Sequence, residues 1–270
     1  MNTGVQARLT RISTDERYLI VPMDHGLTLG AVGGLADIES TIAAVTEGGA
    51  DAVLTQKGIA PRVHGNKNGK GYIAHLNGST TIGPDERDKR LTGTAKDAVR
   101  AGADAVSMHL NVGSEYEPKQ ITDLNELTTE AAEYGMPVLA MSYARGPDVR
   151  DPEDDPDGYA EDVAHAVRLA EELGADVVKT GYTGSPETFE RVVEATRLPV
   201  VIAGGSKGTD EETLEMVAGA MDAGAAGVSM GRSIFQHRAP GAITEAISGV
   251  VHERKSPHEA ADKTGLTVEP

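Results

Sequence analysis

Cysteine and tryptophan are absent from this 270-residue sequence, which has only two phenylalanines and seven tyrosines. Without cysteine, the chain cannot form disulfides, use a thiolate nucleophile or hold a metal ion through sulfur. Because aromatic residues are so few, a large core has to be built from Val, Ile, Leu, Ala and Met. The length suits one large domain such as an α/β barrel.

Positive charge is also scarce, with 25 Lys and Arg against 42 Asp and Glu and a formal net charge of −17. Nucleic acids and anionic membranes both select basic surfaces, so we expect the protein to bind neither. The acidic residues are spread along the chain, as on a solvated surface that suits a cytosol of high salt, although an ordinary acidic protein would look the same. No apolar run could span a membrane and the N-terminus lacks the apolar core of a signal peptide, so we expect a cytoplasmic protein.

An internal repeat organises the sequence. Four junctions, each a glycine and a small residue followed by an apolar run, begin at Gly49, Gly102, Gly174 and Gly224. At each junction the glycine can end a helix in the left-handed conformation, and the apolar run that follows is typical of a buried parallel strand. The intervals between the copies are long enough for two strand–helix units. The additional strands are predicted at residues 19–23, 72–76, 137–141 and 199–203.

Eight strands that alternate with helices predict parallel pairing, because each helix returns the chain to the same end of the sheet. Eight such units favour an α/β fold of the (β/α)8 TIM barrel type, with residues 1–270 as a single domain and a polar tail from about residue 255. An open doubly wound sheet is the alternative, but no Gly-x-Gly-x-x-Gly fingerprint follows a predicted strand.

Lys179 ends one of these strands, directly after Val177 and Val178. An apolar environment disfavours the charged form of an amine, and a neutral lysine can attack a carbonyl carbon to form a Schiff base. A lysine that has simply reached solvent at the end of a strand would look the same in sequence. The residues at the other strand ends favour the catalytic interpretation.

The carboxyl ends of barrel strands meet at one mouth, so residues at those ends are expected to share a site. Asp24 follows the first strand and Tyr143 ends the fifth, and both would join Lys179 there. An amine, a phenol and a carboxylate can together form a Schiff base and move protons. Alternatively, Asp24 caps a turn and Tyr143 only directs its hydroxyl to water. We expect His25 to support the site structurally.

The loops after the last two predicted strands are rich in glycine. Gly204 and Gly205 would let backbone N–H groups approach a ligand, and Gly231 and Arg232 precede a short predicted helix whose N-terminus would favour an anion. Since phosphate sites are frequent after strands seven and eight of this fold, we predict that these residues bind phosphate. Alternatively, the glycines only permit tight turns and Arg232 pairs with a surface acid.

The eight histidines do not have the spacing of metal ligands. We therefore predict neither a metal nor another cofactor. His75 and His109 could still meet across the barrel, which leaves a metal site as the alternative.

Five motifs at these positions resemble those of the archaeal-type class I aldolases, a family of Schiff-base enzymes with (β/α)8 barrels. They are residues 22–26 (Pro-Met-Asp-His-Gly), 143–146 (Tyr-Ala-Arg-Gly), 178–184 (Val-Lys-Thr-Gly-Tyr-Thr-Gly), 203–207 (Ala-Gly-Gly-Ser-Lys) and 231–236 (Gly-Arg-Ser-Ile-Phe-Gln). Together they are specific, and the resemblance runs from about residue 8 to about residue 253. It implies a large ring-shaped homo-oligomer such as a decamer.

The family has a branch that cleaves fructose 1,6-bisphosphate and a transaldolase branch on an alternative route to 3-dehydroquinate and aromatic amino acids. The sequence looks closer to the second, because Met23 precedes Asp-His-Gly and residues 109–115 read His-Leu-Asn-Val-Gly-Ser-Glu. That branch implies transfer of a fragment of a deoxy-ketohexose phosphate, of the 6-deoxy-5-ketofructose 1-phosphate type, to L-aspartate semialdehyde.

The resemblance also implies roles for individual residues. Lys179 would form the Schiff base, Tyr143 would donate protons and Asp24 would accept them. The residues implied to bind substrate are Asp24, His25, Gly26, Leu27, Thr28, Tyr143, Ala144, Arg145, Lys179, Gly204, Gly205, Gly231 and Arg232. Ala144 and Ser206 stand where the family usually has proline, which frees a backbone dihedral and adds an N–H group in each loop.

Two further hypotheses remain open at this point. A fructose-1,6-bisphosphate aldolase could use the same residues, and a non-catalytic barrel could bind sugar phosphates through the same loops. The presence of the lysine, the tyrosine, the aspartate and both glycine-rich loops argues against the non-catalytic barrel.

Overall fold

Ten strands form in the computed structural model, which describes residues 2–205 and 208–266. They are β1 (Tyr18–Pro22), β2 (Ala52–Gln56), β3 (Gly71–His75), β4 (Asn77–Gly78), β5 (Arg90–Leu91), β6 (Ala105–Val112), β7 (Val138–Ala144), β8 (Val177–Thr180), β9 (Val200–Ala203) and β10 (Gly227–Ser229). Eight of them pair in parallel and close into a barrel in the order β1-β10-β9-β8-β7-β6-β3-β2. The predicted (β/α)8 barrel is therefore confirmed, while β4 and β5 form a separate antiparallel hairpin.

Helices connect the strands and cover the outside of the barrel. They are α1 (Thr3–Leu9), α2 (His25–Leu29), α3 (Ile38–Glu47), α4 (Ala60–Asn66), α5 (Ala95–Arg100), α6 (Glu117–Glu133), α7 (Pro156–Glu172), α8 (Pro186–Glu194), α9 (Asp210–Asp222), α10 (Arg232–Phe235), α11 (Pro240–Glu253) and α12 (Pro257–Thr264), with one turn of 3-10 helix at Lys57–Ile59. No helix in the described ranges is both long and apolar enough to cross a bilayer.

Alternate residues of each strand fill the barrel and cover its outside. On β1, Ile20 belongs to the interior cluster, whereas Leu19 and Val21 pack outward against the helices. Because both faces are covered, the strands read as continuous apolar runs, which is what made them visible in the sequence. Ile12 and Tyr18 join the interior cluster near the N-terminal ends of the strands. The mouth at the carboxyl ends is thereby left for polar side chains.

The repeated Gly-Ala-Asp junctions join neighbouring strands at their N-terminal ends. At three of the four junctions, the aspartate exchanges two hydrogen bonds with one residue of the preceding barrel strand. The backbone N–H of the aspartate donates to the carbonyl of that strand residue, and the aspartate carboxylate accepts the N–H of that strand residue. The pairs are Asp51 with Leu19, Asp104 with Tyr72 and Asp176 with Val138, with distances of 2.7–3.0 Å. The fourth junction has Ala226, whose N–H donates to Val200 but which has no carboxylate to accept a bond in return. The aspartates of the repeat are therefore structural.

The polar tail expected from about residue 255 is instead folded over much of its length. Ser256 and Glu259 form a capping box that starts α12, and Ala260, Ala261 and Leu266 are buried. Residues 257–264 form α12, because one apolar face of an otherwise polar helix is enough to dock it. Ser206, which stands where the family usually has proline, lies outside the described residues.

Asp176→Ala should lower the free energy of unfolding by about 1–3 kcal/mol, because it leaves the buried N–H of Val138 without an acceptor. Asp176→Asn keeps an acceptor oxygen and should cost less. Asp154→Ala, in the exposed loop before α7, is the matched control. Urea unfolding monitored by circular dichroism measures all three. Equal stabilities for Asp176→Ala and Asp154→Ala would contradict the structural role.

Candidate active site

A cavity of about 650 Å³ opens at the carboxyl ends of the barrel strands. Most residues predicted to bind substrate lie on its wall: Asp24, His25, Thr28, Tyr143, Ala144, Arg145, Lys179, Gly204, Gly205, Gly231 and Arg232. The parallel barrel brings them together because each belongs to a strand end or to the loop that follows it.

Gly26 and Leu27 do not line the cavity, so the structure gives no support to the prediction that they contact substrate. Both lie on the short helix α2. The side chain of Leu27 packs on Gly78 of β4, where an added Cβ would lie only 2.6 Å from Leu27 Cδ2. Leu27 therefore helps to position the β4–β5 hairpin.

Lys179 lies near the end of β8, between Met141 of β7 and Val201 of β9 in the sheet register. It is 6% exposed and faces the cavity. Burial lowers its pKa from 10.5 to about 8, with the nearby Asp24 carboxylate opposing the shift and the charges of Arg145 and Arg232 adding to it. With that pKa, about a tenth of the amines are neutral at pH 7. The residue is thus suited to attack a carbonyl carbon.

The carboxylate of Asp24 lies between two histidines on the cavity wall. Its Oδ1 is 3.6 Å from His25 Nδ1, and its Oδ2 is 3.7 Å from His75 Nε2. Burial by itself would raise the pKa of Asp24, but His75, His25 and Lys179 together hold it below the usual value. Burial also lowers the pKa of both histidines. At neutral pH the site therefore contains an ionised carboxylate beside two neutral imidazoles, and that carboxylate can accept a proton.

Two contacts fix the histidines beside Asp24. His75 Nδ1 is 2.8 Å from Ser107 Oγ, and the His25 ring meets Phe235 edge-on at 5.0 Å. Gly231 has to be small here, because an added Cβ would lie 2.6 Å from His25 Cε1. The expected supporting role of His25 agrees with these contacts.

Tyr143 is held on β7 between two side chains. Its ring centroid is 4.9 Å from that of His109, and the guanidinium carbon of Arg145 lies 4.5 Å from it on the ring face. Burial raises the pKa of Tyr143 well above its usual value, although Arg145 opposes this shift. The phenol therefore stays protonated at neutral pH and can donate a proton.

The two glycine-rich loops form a cradle, which we define as Gly204, Gly205, Gly231 and Arg232. Arg232 Nη2 donates to the carbonyl of Gly205 at 2.8 Å. Among the described residues no carboxylate lies within 4.0 Å of Arg232, which argues against the alternative of an ion pair with a surface acid. Gly205 has a φ of +59°, so this loop needs a residue that tolerates the left-handed region. α10 has only four residues, so its helix dipole is small. An anion bound there would be held mainly by hydrogen bonds from the backbone N–H groups.

Sequence reasoning missed part of the cavity wall, namely Glu86, Arg87 and Lys89 on the β4–β5 hairpin. The segment between the two short strands has no apolar periodicity, so no pattern signalled that it folds back over the mouth. Gln56, His75 and His109 are also on the wall. All three lie at or near the ends of predicted strands, so the reasoning that identified Asp24 also placed them at the mouth, although it gave them no part in binding substrate.

The cavity wall is positively charged although the chain is acidic. The described cationic side chains on it are Arg87, Lys89, Arg145, Lys179 and Arg232, against Asp24 and Glu86. Such a wall attracts anionic ligands. In the described ranges, no group of three His, Asp or Glu residues is arranged to hold a metal ion.

Comparison with known proteins adds relatives of known activity. A model of the DeoC/LacD family aldolases matches residues 18–237. A 2-amino-3,7-dideoxy-D-threo-hept-6-ulosonate synthase from Halobacterium salinarum is 62% identical over 268 residues, which cover 99% of each chain. A class 1 fructose-bisphosphate aldolase from the same organism is 35% identical over 256 residues, covering 92% of this chain and 95% of that one.

A similar structure has also been solved. It is an archaeal fructose-1,6-bisphosphate aldolase whose catalytic lysine is covalently bound to the carbinolamine intermediate of the substrate. The TM-score is 0.82 and the sequence identity 32%, with 92% of this chain and 99% of that chain covered.

The pH dependence of kcat/KM for a ketose substrate should rise through an apparent pKa near 8, because the amine of Lys179 has to be neutral to attack. Arg232→Gln removes a positive charge that lowers this pKa, so the rising limb should move to higher pH. Arg197→Gln, an exposed change before β9, is the control and should leave it in place. A rising limb near pH 10 in the unmodified protein would contradict the effect of burial.

Proposed function

This chain belongs to the DeoC/LacD aldolase family, and from that premise we propose that it is a Schiff-base transaldolase that acts as a 2-amino-3,7-dideoxy-D-threo-hept-6-ulosonate synthase. The observation that carries the proposal is the identity of 62% across almost the full length of such a synthase, against 35% for a fructose-bisphosphate aldolase. The donor would be a deoxy-ketohexose phosphate of the 6-deoxy-5-ketofructose 1-phosphate type. The acceptor would be L-aspartate semialdehyde, and the product would serve aromatic amino acid biosynthesis.

The first step is attack of the neutral Lys179 amine on the ketone carbon of the donor. The carbinolamine that forms loses water to give an iminium ion, which withdraws electrons from the adjacent carbon. The lowered pKa of Lys179 supports this step, because it provides neutral amine near pH 7.

In the second step a base removes the proton from the donor hydroxyl that lies two carbons away from the iminium carbon. The bond between the two carbons next to the iminium group, one of which carries that hydroxyl, then breaks. The bonding electrons move into the iminium group, so an aldehyde is released and an enamine stays on Lys179. We assign the base to Asp24, which is ionised and lies in the same cavity. The cradle would hold the donor phosphate during this step through Arg232 and the N–H groups of its glycines.

Transfer reverses these events with a different aldehyde. The enamine carbon attacks the aldehyde carbon of L-aspartate semialdehyde, a new carbon–carbon bond forms, and the aldehyde oxygen takes a proton. We assign that proton to the phenol of Tyr143, whose raised pKa keeps it protonated, and the proton that Asp24 took up in the second step then returns to the phenolate. Water then hydrolyses the iminium ion, which frees the product and Lys179.

The proposal extends to the setting of the enzyme. We place it in the cytoplasm as a ring-shaped homo-oligomer, following the family resemblance. The net charge of −17 supports a surface that works in high salt.

A class I fructose-1,6-bisphosphate aldolase is the second candidate, because the structural likeness to such an aldolase has a TM-score of 0.82. The two candidates need the same lysine chemistry and differ in the ketose that is cleaved and in whether a second aldehyde accepts the retained fragment. The identity of the acceptor therefore has to be tested directly.

Product formation followed by mass spectrometry separates the two candidates. With the deoxy-ketohexose phosphate and L-aspartate semialdehyde, the protein should form the amino ketose product at least about 100-fold faster than it cleaves fructose 1,6-bisphosphate. Lys179→Met is the control and should abolish both reactions. Faster cleavage of fructose 1,6-bisphosphate than transfer would contradict the proposed synthase.

A further inference from the structure

Lys89 is a buried cation that forms no direct ion pair with a described carboxylate. It is 8% exposed, and Lys89 and Lys179 are the two buried lysines among the described residues. Its ammonium donates to Ser79 Oγ at 2.9 Å, and no described carboxylate oxygen lies within 4.0 Å of it. Burial lowers the pKa of Lys89, as expected for an ammonium removed from water. Because a buried ammonium is more stable beside a negative charge, this part of the cavity wall favours a bound anion.

The hairpin that carries Lys89 is held firmly to the barrel. Asn77 Nδ2 donates to the carbonyl of His109 at 2.7 Å, and Asn77 Oδ1 accepts the N–H of His109 at 3.0 Å. The carbonyl of Arg87 accepts bonds from Gln120 Nε2 at 2.6 Å and from Asn111 Nδ2 at 3.1 Å. These bonds fix both limbs of the hairpin on either side of Lys89. The ammonium is therefore placed on the wall by a rigid support and not by a mobile loop.

The hairpin lies across the mouth from the cradle. In the barrel order, β3 and β9 are diametrically opposite, the hairpin follows β3, and the cradle follows β9 and β10. Lys179 is on β8, beside the cradle strands. Asp24 and Tyr143, the groups proposed to transfer protons, contact residues on the hairpin side of the mouth. Asp24 Oδ2 lies 3.7 Å from His75 Nε2 at the end of β3, and the Tyr143 ring contacts that of His109 on β6. An aldehyde that reacts at Lys179 with its oxygen toward these groups would have its far end near the hairpin.

We propose that Lys89 binds the acid terminus of the acceptor aldehyde, which makes the β4–β5 hairpin an anion subsite separate from the phosphate cradle. The inference rests on the proposed function, since it assigns the place of the second substrate in that reaction. Arg145 adds positive charge from β7, and both side chains line the same cavity. The terminus bound there is a carboxylate in an amino-acid semialdehyde and a phosphate in a phosphorylated aldehyde.

The hairpin also carries the charge needed for an amino acid. Glu86 lies on the cavity wall three residues before Lys89, and its negative charge acts on the Lys89 ammonium. A carboxylate bound by Lys89 with an ammonium directed to Glu86 matches the zwitterionic end of L-aspartate semialdehyde. This pairing favours the semialdehyde over a phosphorylated aldehyde, whose end has no positive charge.

Steady-state kinetics of Lys89→Met test the assignment with a series of acceptors. L-Aspartate semialdehyde carries both charges, succinic semialdehyde carries only the carboxylate, and butanal carries neither. Lys89→Met should raise KM about 10- to 100-fold for the two acids, which is the loss expected for a charge-assisted hydrogen bond, and leave butanal unchanged. Lys89→Arg should recover part of the affinity. Lys96→Met, an exposed lysine of α5 outside the cavity, is the matched control.

The donor half of the reaction separates this inference from the proposed function. Reductive trapping of the donor on Lys179 in the absence of acceptor should be unchanged in Lys89→Met and weakened in Arg232→Gln. If glyceraldehyde 3-phosphate is the efficient acceptor and its KM depends on Lys89, the anion subsite is supported and the proposed acceptor is wrong. If Lys89→Met affects butanal equally, or if Arg232→Gln and not Lys89→Met raises KM for the acids, the subsite assignment is overturned.

Discussion

The buried amine of Lys179 and the carboxylate of Asp24 are the interaction on which the rest of the site depends. Burial and two arginine charges lower the pKa of the lysine to about 8, while Asp24 limits the shift. The same lysine charge helps to keep Asp24 ionised against its own burial. Two histidines flank the carboxylate. They help to hold its pKa down when they are protonated, and their own lowered pKa values leave both of them neutral at neutral pH. At one pH the site thus provides a partly neutral nucleophile, because Lys179 is buried, and an ionised base, because positive charges surround Asp24.

The barrel separates this chemistry from the features that stabilise the fold. Asp51, Asp104 and Asp176 join pairs of strands at the N-terminal ends, while the interior cluster fills the space between the two ends. The carboxyl ends carry the polar and charged side chains. Loops there can differ between relatives without disturbing the barrel, which explains how a synthase and a fructose-bisphosphate aldolase can both be similar to this chain. On our proposal, the difference lies on the acceptor side of the cavity, where the hairpin with Lys89 faces the cradle.

The sequence allowed the barrel and the central residues of the site to be predicted, because both follow from the strand ends. The glycine junctions and apolar runs located the strands, and a parallel barrel brings Asp24, Tyr143 and Lys179 to one mouth. The hairpin was missed because bonds from Asn111 and Gln120, distant in sequence, decide its position. α12 was missed although Ser256 and Glu259 have the spacing of a capping box, since its composition is polar. Gly26 and Leu27 were expected to bind substrate, but they lie on α2, which begins immediately after Asp24, and they do not line the cavity.

Mass spectrometry of borohydride-trapped protein tests the central claim most directly. Incubation with the deoxy-ketohexose phosphate, followed by reduction and digestion, should place the sugar adduct on the peptide that contains Lys179. Lys179→Ala should abolish the adduct, and Lys89→Met should retain it, because only the first amine is proposed to attack the donor. Absence of any adduct in salt that keeps the protein folded, or an adduct on Lys89 or another lysine, would contradict the account.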